Sequence, residues 1–276
     1  MDTAEKKDAG QHGRQIGRFL WLKIFLSGLA MFFLLNRAFM ATGNINYIPS
    51  LLVVGTFTVP LSFVIFLYSR DKTPGVSVGD VLVSAVWGGV MGTVLAGVIE
   101  YHALMDFGLL STLLVGLIEE VVKLAVPVLL IFDNKKRSEI DAIIIGAAAG
   151  AGFAALESMG YGLVSLLVTG GNVTETTTVL MVRALMAPAA HIAWTALAAD
   201  ALWRLRQNTP HAAGQFFAVL LGVVLLHAAW DSTTPLGGFM FVVVGLISLG
   251  WLAVRIRKAT RPPNPDIANL LGWPML

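Results

Sequence analysis

The chain has 276 residues, 56% of them hydrophobic and only 13% charged, with a mean hydropathy of +0.76. Soluble domains carry about 25% charged residues, so these values define a membrane protein and exclude a disordered tail or a nucleic-acid module. Zero cysteines exclude a disulfide scaffold, thiol nucleophiles and cysteine metal sites; at a net charge of +2, the placement of the basic residues carries more information than their sum.

In chain order, apolar runs long enough to cross about 30 Å of hydrocarbon predict an all-α, polytopic bundle of about eight transmembrane helices. They run from Phe19 to Leu35, Tyr47 to Ser69, Val81 to Met105, Leu109 to Phe132, Ile140 to Val168, Thr178 to Trp203, Phe216 to Asp231 and Gly237 to Val254. The cations alternate with these runs. Lys6, Lys7, Arg14 and Arg18 precede the first; Arg70 and Lys72 follow the second; Lys135, Lys136 and Arg137 follow the fourth. Arg204 and Arg206 follow the sixth, and Arg255, Arg257, Lys258 and Arg261 follow the last, whereas the alternate loops offer only Arg37. The positive-inside rule therefore puts both termini in the cytoplasm. Lys23, Lys123 and Arg183 fall inside spans, and Lys23 is near enough to an end to snorkel.

The basic segment before the first span is not followed by a small-residue cleavage site, so that span reads as a retained anchor. Residues 1–17 and 259–276 are expected to be cytoplasmic tails, the latter with Arg261-Pro262-Pro263-Asn264-Pro265, and residues 18–258 a single transmembrane domain. The chain is expected in a plasma membrane, bacterial or archaeal, as a multi-pass protein.

An ionisable group in hydrocarbon costs several kcal/mol, so each one in a span is by default paired or functional. The fourth span carries Glu119, Glu120 and Lys123; the fifth carries Glu157; the sixth carries Arg183, His191 and Asp200; the seventh carries His227 and Asp231. Counted from the cytoplasmic ends at 1.5 Å per residue, Glu119 and Glu120 lie roughly 20 Å deep, Glu157 roughly 25 Å, and His191 and His227 roughly 18 Å. Arg183 and Asp231 come out nearer the outer surface, and Asp200 near the inner one. Glu119 with Lys123 and His227 with Asp231 are four apart on a helix, so each pair shares a face, and Asp231 is placed to set the tautomer of His227. Gly88, Gly92, Gly146, Gly150 and Gly152 allow close helix packing around these groups.

Glu-Glu-x-x-Lys (119–123), Phe-x-x-x-Glu (153–157), an isolated helical histidine (191) and His-x-x-Trp-Asp (227–231), in that order on four consecutive spans, resemble the PrsW family of intramembrane proteases. That family is related to the group that includes the CAAX-processing endopeptidases. The resemblance covers about residues 110–235, the expected catalytic core. It implies a peptidase that cuts a membrane-anchored protein substrate outside the cytoplasm, in the best-known cases an anti-sigma factor by site-one cleavage. It assigns Glu119 and Glu120 as the pair that activates water, with His191 and His227 assisting, and puts Glu157 at a second acidic position. Lys123, Asp231 and Arg183 are read as supporting residues, with Lys123 pairing with Glu119 or Glu120 and Arg183 anchoring at the outer edge. The family is classed as a metallopeptidase, whereas its CAAX relatives are argued to work through glutamate without a metal.

The residues alone leave the same two options. A buried glutamate can act as general base while a histidine donates to the oxyanion. Alternatively His191, His227, Glu120 and Glu157 can hold zinc and lower the pKa of its water. No tight chelating motif such as His-Glu-x-x-His is present, which puts metal-free chemistry slightly ahead. The rival from another class is a proton-coupled transporter or channel using the same Glu and His residues, but the carboxylates gather at one depth and the hydropathy shows no inverted repeat. Beyond the lipid bilayer and the substrate, no nucleic-acid or other partner is implied.

Trp194 and Trp230 each follow a histidine by three residues, consistent with aromatic packing or with holding the imidazole ring. Asn172-Val173-Thr174 matches a glycosylation acceptor by a short pattern. His102 and Asp106 are expected to be solvated, and His12 and His211 to lie in cytoplasmic segments without a partner.

Overall fold

The computed structural model describes residues 19–70, 75–103, 111–133, 135, 137–232 and 238–260. These form α1 (Leu20–Thr42), α2 (Ile48–Arg70), α3 (Val78–Ala103), α4 (Ser111–Val122), α5 (Ala125–Ile131), α6 (Glu139–Val168), α7 (Val173–Met186), α8 (His191–Arg206), α9 (Ala212–Asp231) and α10 (Gly238–Ala259). The expected basic residues Lys6, Lys7, Arg14, Arg18, Lys72, Lys136 and Arg261, and also His12 and Asp106, lie outside the described residues.

Among the described residues there is no strand, and seven segments are long and apolar enough to cross a membrane. The chain is an integral, multi-pass helical membrane protein. The expected fourth span is the exception: it is split into α4 and α5, of twelve and seven residues, by a turn at Lys123 and Leu124. Together they still cover 111–131, enough chain for about 30 Å. The sixth is also broken, by a 3-10 turn at Ala187–Ala189 between α7 and α8. In both places proline is the cause: Pro127 is the third residue of α5 and Pro188 lies inside the 3-10 turn, and neither can donate to a preceding helical carbonyl. Helices elsewhere start and stop within a few residues of the expected spans, although α1 runs on through Arg37, expected in a loop, and α10 through Arg255, Arg257 and Lys258, expected in a tail.

The centre of the bundle is α6, buried along its first half from Ile140 to Ala155. A capping box starts it: Ser138 Oγ accepts from Asp141 N at 3.2 Å and Asp141 Oδ2 accepts from Ser138 N at 2.8 Å. Its small residues set how close its neighbours come. A Cβ on Gly152 would stand 1.8 Å from Ala85 O of α3, and one on Gly150 would stand 2.4 Å from His191 O of α8. The facing positions are Gly88 with Ala149 and Gly92 with Phe153, so α3 runs parallel to α6; Gly146 meets Thr195 and Gly150 meets His191, so α8 runs antiparallel.

At one end of the bundle the basic residues are tied down by acids. Arg255 of α10 pairs with Asp200 of α8 at 2.7 Å and with Glu139 of α6, and Arg204 pairs with Asp200 at 2.7 Å. Asp200, expected at the interface, is thus fully buried in an ion cluster. Arg137 is buried too, against Asp80 at 3.1 Å and Asp133 at 3.0 Å; burial alone would lower its pKa, but those two carboxylates outweigh this and raise it. We call this the basic end. At the opposite end Asn172 caps α7 by accepting from Glu175 N at 3.2 Å, which accounts for an asparagine there.

Candidate active site

Both helix breaks fall at the same place, and each puts a functional side chain at a helix terminus. Lys123 sits in the turn that ends α4, and His191 is the first residue of α8, after Ala190 at φ −118° and ψ −115°. Irregular backbone of this kind is tolerated in a bilayer only where protein buries it, and Lys123 and His191 are both buried.

The Lys123 ammonium is the hub. Its Nζ donates to Glu119 Oε2 at 2.9 Å and to Glu120 Oε1 at 2.9 Å, lies 2.8 Å from His191 Nδ1, and stands 4.0 Å from the centre of the Phe153 ring. An ammonium has three protons and no acceptor, so His191 Nδ1 must accept, which leaves the ring proton on Nε2. That nitrogen faces Glu157 Oε2 at 2.9 Å, and the same oxygen is 2.7 Å from Arg183 Nη2. Arg183 also donates from Nε to Ser158 Oγ at 3.2 Å and lies over the Tyr161 ring.

His227 is held in the same manner by a different acid. Its Nδ1 is 2.9 Å from Glu120 Oε1, and because a carboxylate only accepts, Nδ1 carries the proton. Nε2 then points at Glu119 Oε2, 3.5 Å away, and Asp231 Oδ2, 3.4 Å away. The stronger contact that sets the tautomer comes from Glu120, not from Asp231 as the helical spacing suggested. Trp194, fully buried, stacks on His227 with ring centres 4.8 Å apart and planes 26° from parallel, and meets His191 edge-on at 5.3 Å. Its indole Nε1 donates to Ser248 Oγ of α10 at 2.9 Å, so the last helix anchors the ring that holds the histidine.

Glu119, Glu120, Glu157, His191 and His227 therefore meet in one cluster, with Lys123, Arg183 and Asp231 in contact with it. Arg183 and Asp231 lie on its more exposed side and still reach it: the arginine side chain folds back to Glu157, and Asp231 is one turn beyond His227. Side-chain exposure rises from 0% at Glu120 and 8% at Glu119 to 19% at Glu157, 24% at Arg183 and 33% at Asp231. The cluster thus opens toward the end of the bundle opposite the basic one. His102 and His211 are exposed.

Two further features escaped the sequence reading. Glu100 of α3 brings another carboxylate within electrostatic reach of Glu119, Glu157, Lys123 and His227. Glu120 Oε2 is buried and has no hydrogen-bond partner, an acceptor left open inside the cluster.

The arrangement also fits a metal. Glu119, His191 and His227 each bring one donor atom to within 4.8 Å of the others. Each histidine has its other nitrogen on a carboxylate, Glu157 for His191 and Glu120 for His227, which is how ligating imidazoles are usually oriented; an ion at His191 would take Nδ1, the nitrogen that Lys123 contacts here. Of the expected zinc set His191, His227, Glu120 and Glu157, the two carboxylates thus stand behind the histidines, and Glu119 joins them at the centre. Nitrogen and oxygen donors of this kind suit zinc chemistry.

A bundle with buried carboxylates, two oriented imidazoles and an ammonium at one depth has the groups that hydrolysis within a membrane requires. The model of the PrsW family of intramembrane metalloproteases matches residues 78–254, and the chain belongs to that family. It is a peptidase, and it acts on a membrane-anchored substrate in the lipid bilayer. Neither the curated proteins nor the solved structures compared with it gave a match. The preference for metal-free chemistry finds no support, since the family is described as metalloproteases and three donors converge.

Proposed function

We propose that the protein hydrolyses a peptide bond of a membrane-anchored substrate on the extracytoplasmic side, in the manner of a site-one cleavage of an anti-sigma factor, with zinc as its metal. The observation that carries this reading is the paired arrangement of acid, imidazole and inward-facing nitrogen at His191 and His227 around Glu119. The basic end is then the cytoplasmic one, by the distribution of Arg and Lys, and the cluster opens to the other side.

Glu119, His191 and His227 would hold the ion, in place of the contacts that Lys123 makes here with His191 Nδ1 and Glu119 Oε2; as a Lewis acid it would polarise the scissile carbonyl and make bound water a stronger acid. The chain's own residues do the rest. Glu120, through its open Oε2, takes a proton from the attacking water; the hydroxyl oxygen bonds to the carbonyl carbon. When the C–N bond breaks, Glu120 returns that proton to the departing amine. Lys123 balances the charge of Glu119 and Glu120, and Glu157, fixed by Arg183, keeps His191 in the required tautomer. Trp194 keeps His227 from rotating.

The test compares cells expressing the native chain with cells expressing Glu119→Gln, Glu120→Gln at equal levels, by amino-terminal mass spectrometry of membrane proteins. The expected result is a set of new termini on the outer segments of single-span proteins in the native cells alone. Identical fragment sets, combined with proton flux in liposomes that the double mutant abolishes, would move the site to transport.

A further inference from the structure

The mechanism above leaves unused a half-buried carboxylate beside the site, that of Glu100. Glu100 lies eight residues beyond Gly92 on α3, and Gly92, Ala96 and Glu100 are spaced by four, so each is a neighbour of the next on one side of the helix. That side is the one packed on the site: Gly92 abuts Phe153 and comes within 3.8 Å of Lys123 Cγ, and Ala96 is buried. Continuing along it two turns past Gly92, about 12 Å, puts Glu100 above Lys123 toward the open end, beside the rim that holds Glu157 and Tyr161.

Glu100 Oε1 is buried and has no hydrogen-bond partner among the described residues. A buried acceptor left unmade costs about 1–3 kcal/mol, more if charged, so such a group calls for an explanation. The site's own cations are already committed. Lys123 spends its three protons on Glu119, Glu120 and His191, and Arg183 is held by Glu157, Ser158 and the Tyr161 ring. Glu119, Glu157, Lys123 and His227 lie within electrostatic reach of Glu100, and none of them is a hydrogen-bond partner of its Oε1. Nor does Glu100 belong to the converging donors Glu119, His191 and His227, which separates it from the metal. What remains is a cation that arrives with the substrate.

We propose that Glu100 is a specificity residue that receives a lysine or arginine side chain of the substrate, close to the bond that is cut. It deepens the proteolytic reading and rests on it. The substrate enters from the open end, passes the rim at Glu100 and Asp231 and presents its peptide bond to Glu119 and Glu120 below. A basic side chain at a fixed distance from that bond then pairs with the acceptor that Glu100 leaves unmatched at the rim. A backbone N–H would be accepted equally well by an amide; a cation would not, and this separates the two.

The experiment reads cleavage positions by amino-terminal mass spectrometry of membrane proteins from cells expressing the native chain, Glu100→Gln or Glu100→Asp. In native cells the new termini should share a lysine or arginine at one fixed position. Glu100→Gln should cut those sites slower, on the order of tenfold or more, with neutral sites unchanged, and Glu100→Asp should keep the preference in part. An unchanged preference in Glu100→Gln overturns the proposal. In case that variant does not accumulate, the substrate's own basic residue is replaced by glutamine and offered to the native chain: a rate within twofold of the original overturns the proposal equally. If no native-dependent termini exist, the proteolytic reading fails and takes this inference with it. A preference absent from otherwise abundant native cuts refutes Glu100 alone.

Discussion

Gly150→Ala is the substitution that most sharply separates this account from one in which the histidines merely pack. The new Cβ would stand 2.4 Å from the carbonyl oxygen of His191, 2.9 Å from its carbonyl carbon and 3.0 Å from Ile192 Cα. An ordinary contact begins near 3.4 Å, so the start of α8 must retreat by about 1 Å. His191 retreats with it, opening its 2.8 Å contact with Lys123 and its 2.9 Å contact with Glu157. A misplacement of about 1 Å at a catalytic group costs about 10²-fold in rate, and overpacking of this kind costs about 1–3 kcal/mol in stability. Gly160→Ala, on the same helix with nothing within 4 Å of its Cβ, is the control. It should keep full activity and gain up to about 1 kcal/mol from helix propensity. The assay is the rate of appearance of cleaved termini per unit of folded protein, with thermal unfolding in detergent alongside. Native activity in Gly150→Ala would show that the position of His191 does not matter, and would refute the reasoning.

Lys123→Met removes the charge that balances Glu119 and Glu120, so in chelator the variant should melt well below the native protein, and added zinc should raise its melting temperature more than it raises the native one. An equal zinc shift would show that the ion and the ammonium do not share donors. Ser248→Ala removes the hydrogen bond to Trp194 and should cost about 1 kcal/mol in unfolding with a few-fold loss of activity, whereas Trp194→Ala also removes the stack on His227 and should lose about 10²-fold. Arg255→Met leaves Glu139 and Asp200 with Arg204 alone and should destabilise by about 3 kcal/mol, read by detergent unfolding, while cleavage per folded molecule stays the same because the cluster is at the far end.

The legible part of the molecule was what hydropathy and charge encode directly. Apolar runs set the spans because hydrocarbon thickness fixes their length, and ionisable residues inside them marked the site because burying such groups is costly. Four things were hidden. The breaks at Lys123 and before His191 do not disturb hydropathy, yet Pro127 and Pro188 were present in the sequence and their missing N–H groups could have located them. A depth count along straight helices leaves out side-chain reach, which is what brings the Arg183 guanidinium to Glu157. Which carboxylate serves which imidazole was beyond the pattern altogether: Asp231 has the helical spacing to His227, but Glu120 comes closer from another helix. Glu100 was passed over because its span lacks a motif, while the spacing of Gly92, Ala96 and Glu100 was a signal that one side of α3 lies against the site.

The central claim is that this cluster splits a peptide bond with water. Purified protein loaded with zinc, reconstituted with outer-membrane-side segments of its cleaved substrate in water enriched in oxygen-18, tests it most directly. The account predicts that each new carboxyl terminus carries one heavy oxygen, that Glu120→Gln forms none, and that chelation stops the reaction until zinc is restored. Heavy-oxygen termini forming at the native rate in Glu120→Gln would contradict it.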